Sequence, residues 1–231
     1  MAKTRRERVR AETTIEIKEV ALQQMAQQGA ASLSLRSIAR EMGMSAPALY
    51  RYFPDRDALV TALIVDAYNS LADSLEAAND GQDVGNYNGR FRAVAQAYRN
   101  WALAHPAEYA LIYGTPIPGY IAPRDETVMP AARTNLVIGF ILNEAAQAGK
   151  LTIPDAYFHA SPDLQAVLDE LAAMIPEEDV LSAGVLLTIY IFSRLHGLVW
   201  GELDEHFAPK IADSGELFEI EISEICDRLK L

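Results

Sequence analysis

The chain is short of the residues from which most catalytic and metal centres are built. It has one cysteine, Cys226, in 231 residues. A disulfide within the chain and zinc sites of the multi-cysteine kind are therefore excluded. Its four histidines, His105, His159, His196 and His206, are scattered, and none pairs with another His, Asp or Glu in an established metal motif. Asp204, Glu205 and His206 are adjacent and point around a helix rather than at one point. There is no Gly-x-Ser-x-Gly, no phosphate-cradling glycine loop and no His-Glu-x-x-His. No enzyme, metal or cofactor is expected. Strand-like alternation of convincing length, internal repeats and low-complexity segments are also missing. No apolar run approaches the ~20 residues that span a bilayer. The charged N-terminus lacks the apolar stretch of a signal peptide, so the cytoplasm is the expected compartment.

What is present is an ordinary globular composition, half hydrophobic and 23% charged, in a length that suits one large or two small domains. The net charge of −12 divides unevenly. Residues 1–60 hold ten basic and seven acidic side chains, a net of +3, while residues 61–231 hold ten and twenty-five, a net of −15. A basic end on an acidic body fits a protein that meets nucleic acid at one end only.

The most informative stretch runs from Leu33 to Arg56. Ser34 is placed to cap a short helix, with Leu35, Ile38 and Met42 on one face and Arg36, Ser37 and Arg40 on the other. Ala39 is small enough to let a second helix cross closely. Gly43 supplies the left-handed turn. Ser45 then caps a second helix, predicted over 45–52, with Pro47 in its first turn. Leu49 and Phe53 point inward. At about 100° per residue, Pro47, Ala48 and Arg51 lie opposite Leu49 or nearly so, and Tyr50 and Tyr52 lie on the flanks. Small side chains let such a helix approach bases and touch thymine methyls, Arg51 can donate twice to guanine, and the phenols can reach phosphates. This is helix-turn-helix patterning.

Leu-x-x-Ile-Ala-x-x-x-Gly-x-Ser-x-x-x-Leu-Tyr-x-Tyr-Phe-x-x-Arg-x-x-Leu resembles the N-terminal domain of the TetR (tetracycline-repressor-like) family of bacterial regulators, from about Arg8 to Leu71. The resemblance implies a three-helix DNA-binding domain, residues 1–60, followed by a helical ligand-binding and dimerisation domain, residues 61–231. A linking helix over about 56–78 would be shared by both and could carry a shift between them. It also implies that Arg56, at the start of that helix, grips a phosphate. Arg36, Ala46, Pro47, Ala48 and Arg51 are the candidates for base contact, and Ser45, Tyr50, Tyr52 and Arg56 for phosphate contact.

Elsewhere the patterning is helical throughout. The segment from Ala2 to Arg10 reads either as a basic arm along phosphates or in the minor groove, or as a solvated terminus. A helix capped by Thr13 or Thr14 runs to Gln28. Leu59, Leu63, Ala67, Leu71 and Leu75 repeat every four residues along the linking helix, about 33 Å long. Further helices are predicted from Tyr87 or Gly89 to Ala104, over Ala107–Tyr113, to about Ala148, over Leu164–Met174, over Asp179–Leu203 and from Gly215 to Leu229. The last two carry more apolar surface than one core stripe needs, which suggests a twofold four-helix bundle. The resemblance agrees, since in that family the last two helices usually form the dimer. Leu186, Ile189, His196, Gly197, Phe218, Ile222 and Ile225 are the interface candidates.

Leu195-His196-Gly197-Leu198-Val199-Trp200 resembles the His-Gly segment of a C-terminal domain type named for Trp, His and Gly, found on some TetR-like proteins, although no Trp precedes His196. His105-Pro106-x-x-Tyr109 resembles the same group. Candidate ligand-pocket residues include Phe91, Tyr98, Trp101, Tyr109 and Tyr113. Met129, Arg133, Phe140, Arg194 and Trp200 complete the set. Aromatics with a few polar tips suit an apolar molecule with one or two polar groups. Arg133 or Arg194 could pair an acidic ligand, whereas Glu144 or Glu202 would favour a cation. The function expected is a ligand-responsive, homodimeric repressor on a palindromic operator. The alternatives are a DNA-binding regulator without a small-molecule ligand, and a helical enzyme or metal sensor.

Overall fold

A computed structural model describes residues 4–175, 180–207, 210–211 and 214–231. Among these are ten α-helices and no strand. They are α1 (Arg5–Gln28), α2 (Leu35–Glu41), α3 (Ala46–Leu49), α4 (Arg56–Asp80), α5 (Tyr87–Ala104), α6 (Pro106–Tyr113), α7 (Arg124–Gln147), α8 (Pro162–Ala173), α9 (Ser182–Leu203) and α10 (Ser214–Leu229). The all-α expectation is met. Asp179, expected at a helix start, lies outside the described residues, as do Ala2 and Lys3.

The chain divides into two compact units, one of Met1–Asn69 with His105–Ala131 and the other of Ser70–Ala104 with Ala132–Leu231. The division falls inside α4 and inside α7. In the first unit, Ile17, Ala21 and Met25 of α1 meet Leu35, Ile38 and Ala39 of α2, Leu49 of α3, and Leu59 and Leu63 of α4 in one core. The segment after α5 belongs to this unit. Ile117 enters its core, α6 packs on α1, the Tyr120 and Thr61 hydroxyls share a 2.9 Å hydrogen bond, and the Tyr68 hydroxyl donates to the Ile112 carbonyl at 3.4 Å.

In the second unit α9 packs on α5, α8 and α10. Its inward row is Ala183, Leu187, Ile191, Leu195 and Val199, at helical spacing. Phe218, Ile222, Ile225 and Leu229 of α10 are likewise buried within the chain, so most of the apparent apolar surplus of that helix is used by its own subunit. By length and composition α9 is apolar enough to cross a bilayer, which corrects the expectation that no segment approaches that length. Its packing on three helices accounts for the composition, as a helix apolar on several sides requires.

The N-terminal segment also departs from expectation. Residues 5–10 are not an arm but the first turns of α1. Thr4, not Thr13 or Thr14, is the cap: its hydroxyl accepts from the Glu7 amide at 3.2 Å, and Glu7 accepts from the Thr4 amide at 2.7 Å. That reciprocal pair satisfies two amides that a helix start leaves without partners. The Thr4 bonds hold the Glu7 carboxyl below its ordinary pKa.

Candidate nucleic-acid interface

The turn between α2 and α3 is built on Gly43, at φ +64°. The Gly43 amide donates to the Arg40 carbonyl at 3.2 Å and the Met44 amide to the Ala39 carbonyl at 2.8 Å. This pair closes α2 in a Schellman motif, which needs a left-handed residue at that place. Ser34 and Ser45 occupy the two N-cap positions with extended backbones, but neither hydroxyl makes the capping hydrogen bond. The Ser45 carbonyl instead accepts from Ala48 at 2.9 Å and Leu49 at 3.2 Å. Regular α-helix ends at Leu49, earlier than the predicted Tyr52. Beyond it the chain tightens, with amide-to-carbonyl bonds from Arg51 to Ala48 and from Tyr52 to Leu49.

Leu49 is fully buried and Phe53 nearly so, and they anchor the element from behind. Ser45, Pro47, Tyr50 and Arg51 are exposed, and Ala46, Ala48 and Tyr52 are half-buried. Arg36 is exposed on α2. The Arg36 and Arg51 guanidiniums have no hydrogen-bond or ion-pair partner among the described residues. Arg56, at the first position of α4, behaves differently. Its Nη2 donates to the Ala30 carbonyl at 3.2 Å and reaches that of Ala31 at 3.5 Å, tying α4 to the turn after α1. Asp55 caps α4, accepting from the Ala58 amide at 2.8 Å.

A cleft opens beside α3. One wall is Arg5, Arg6, Val9 and Arg10, and the other is Met44, Ala48, Arg51 and Tyr52. The Arg10 Nη2 donates to the Arg51 carbonyl at 3.1 Å, and its guanidinium carbon lies 5.4 Å from the centroid of the Tyr52 ring, within cation–π range. Sequence reasoning missed this wall because it read the segment up to Arg10 as either an arm or a solvated terminus, and started the helix later. The Thr4-x-x-Glu7 pattern was the available signal.

The expected ligand residues are divided between the two units. Tyr109, Tyr113 and Met129 lie in the first, where the Tyr109 and Tyr113 rings stand 5.2 Å apart and Met129 is 68% exposed. Phe91, Tyr98, Trp101, Arg133, Phe140, Arg194 and Trp200 lie in the second. There, Phe91 is fully buried and Tyr98 and Trp101 nearly so, whereas Trp200 is exposed. The Trp101 Nε1 donates to the Ser70 hydroxyl at 3.1 Å. Tyr98 packs against Phe192 and hydrogen-bonds His196 Nδ1 at 3.0 Å. Burial holds the His196 pKa below its ordinary value. The four charged candidates are all ion-paired: Arg133 with Asp73 and Glu76, Arg194 with Glu221 and Glu224, Glu144 with Arg90, and Glu202 with Arg99. Among the interface candidates, Ile189 and Gly197 are exposed and Leu186 and His196 half-buried.

A short helix anchored in a core, reached through a glycine turn and presenting small and basic side chains, defines a helix-turn-helix DNA-binding protein. The chain is similar over 17–63 to the family described as bacterial regulatory proteins, tetR family, and over 91–225 to the tetracyclin repressor-like C-terminal domain. An HTH-type transcriptional regulator of Mycobacterium tuberculosis is 36% identical over 222 residues, covering 93% of this chain and 91% of the relative. The crystal structure of a regulatory protein is 41% identical, with a TM-score of 0.77, over 96% of this chain and 98% of its own. A Rhodococcus protein of unknown function is 25% identical, with a TM-score of 0.71, over 94% and 95%. The chain belongs to the TetR family: it is a transcriptional regulator with a helix-turn-helix DNA-binding domain.

Proposed function

We propose that the protein is a ligand-responsive repressor that binds a palindromic operator as a homodimer. The observation that carries this reading is the outward face of α3 and the turn after it, where Pro47 and Arg51, whose guanidinium has no partner among the described residues, are exposed on an element whose other side is locked by Leu49 and Phe53. Arg36, Ala46, Pro47, Ala48 and Arg51 contact base edges. Ser45, Tyr50, Tyr52 and Arg56 contact phosphates, with Arg56 also bracing its own unit. Residues 1–60 read DNA, and 61–231 bind the effector and the second subunit. Such a role belongs in the cytoplasm, where a bacterial operator is found.

Dimerisation uses the exposed row of α9. Outside the adjoining backbone of α9, a Cβ placed on Gly197 would meet no atom of the described residues within 4 Å, so the bare backbone there offers room for a helix of a second subunit. Phe218, Ile222 and Ile225 support that surface from behind rather than forming it. Effector binding acts through α4 and α7, which continue into both units. An effector shifts DNA affinity only by its preference between two states, typically by about 1–3 kcal/mol. Because the charged candidates are already paired, a neutral apolar effector with one polar group suits the Tyr98–His196 region best. The same internal pairing also favours a second reading, a DNA-binding regulator with no small-molecule effector. A molecule co-purifying with the protein, identified by mass spectrometry and weakening DNA binding when added back, would separate the two.

Selection from a random DNA pool tests the DNA assignment. A palindrome with half-sites about 34–36 Å apart, or a multiple of it, is expected. Arg51→Ala should relax one base position in each half-site, at a cost of about 1–3 kcal/mol against the wild-type base. Failure to recover any motif at any salt concentration would overturn the reading.

A further inference from the structure

We infer that the cleft between the first turns of α1 and α3 is a binding site for the sugar–phosphate backbone flanking each half-site, so that the DNA surface extends beyond the helix-turn-helix. The inference rests on the DNA-reading assignment above. Arg5, Arg6, Val9 and Arg10 line one wall because residues four apart lie one above the other on a helix, so that Arg5 with Val9 and Arg6 with Arg10 form two neighbouring rows. That face exists because the Thr4–Glu7 box starts α1 before these residues. The cleft holds four arginines and no carboxylate. Its positive charge is left uncompensated: the Arg5, Arg6 and Arg51 guanidiniums have no partner among the described residues. In the other unit Arg90, Arg99, Arg133 and Arg194 are each paired with a carboxylate. A planar guanidinium matches phosphate oxygens in charge and geometry.

Arg10 has a different part. Its bond to the Arg51 carbonyl and its seat against the Tyr52 ring join the two walls. It is a positioning residue that holds the irregular turn after Leu49, and with it the Arg51 side chain, at a fixed distance from α1. Arg5 and Arg6 are the phosphate ligands.

The test uses the full-length protein and a duplex carrying the selected motif with flanking sequence. Binding is measured across a salt series and by hydroxyl-radical footprinting. For Arg5→Gln/Arg6→Gln, the slope of log affinity against log salt should fall by about 2, at roughly 0.9 for each phosphate no longer neutralised. Protection should disappear from backbone positions outside the half-site while the selected motif stays the same. Arg5→Lys/Arg6→Lys should retain the slope, which separates missing charge from a damaged helix. Arg10→Lys should keep the slope and blur the base position read by Arg51. An unchanged slope and footprint in the glutamine variant, with the wild type still selecting its motif, would overturn the inference. So would a changed motif, because the cleft would then read bases. A wild type that selects no motif would instead remove the DNA-reading assignment itself.

Discussion

Two aromatic residues and a histidine make the second unit sensitive to acid. His196 is half-buried, hydrogen-bonded to Tyr98 and stacked 5.7 Å from Phe192. Burial disfavours its charged form and lowers its pKa in the folded protein. The unfolded chain therefore takes up this proton first, near the ordinary value of about 6.5. The stability linked to this group is fully present above that pH and is lost as pH falls through it toward the lowered folded value. Thermal unfolding at pH 7.5 and 5.5 should show a smaller difference in Tm for His196→Gln than for the wild type. An equal difference in both proteins would show that the titration belongs to other groups. The ion pairs of this unit are a different matter. Arg133 stands partly exposed between Asp73 and Glu76, and such pairs contribute little once water screens them. Their main effect is to remove charge from the place where a charged effector was expected.

At the scale of the element, the angle between α2 and α3 depends on one residue without a side chain. Gly43 sits at φ +64°, and a Cβ at this position would meet no neighbour within 4 Å. Crowding is therefore not what forbids a larger residue there; backbone conformation is. Gly43→Ala should cost about 1–2 kcal/mol, the penalty for left-handed backbone. A denaturant midpoint reads this, and operator affinity should fall further than stability alone explains if the α3 angle shifts. This pair of helices was legible from sequence because each determinant is local: the turn glycine, the two cap positions, and Leu35, Ile38 and Leu49 at helical spacing. The four-residue repeat of α4 was legible for the same reason, and Leu59, Leu63, Ala67, Leu71 and Leu75 are all buried. The start of α1 was not. Its first buried residue is Ile17, so apolar periodicity says nothing about residues 5–10, and only the cap pattern marks them. The place of α6 and of the segment after it was illegible too, since their partners, α1, Thr61 and Tyr68, lie about forty or more residues earlier in the chain. The candidate pocket fared similarly: aromatic spacing located Tyr98 on a buried face, but Arg99–Glu202 and Arg90–Glu144 join residues far apart in sequence, which no local pattern shows.

For the whole molecule, assembly and DNA reading should be inseparable. Gly197→Arg places a charged side chain on the exposed row of α9, where the subunit itself has space for it. Light scattering should then report monomers with unchanged helicity, and operator affinity should fall steeply because a lone half-site remains. A dimer that survives this change would move the interface elsewhere. The proposed twofold assembly would also give the brevity of α3 an evolutionary consequence. The element sets an exposed proline and two half-buried alanines around a single fully buried leucine, so a new side chain at Ala46 or Ala48 need not disturb the core. In such a dimer one codon change would nevertheless be displayed twice, and a palindromic operator would keep pace only by changing in both arms. New preferences in such a regulator should therefore pass through half-converted, asymmetric operators, where one subunit is well matched and the other merely tolerated. Divergence between duplicated copies would be easy for the protein and slow for its DNA.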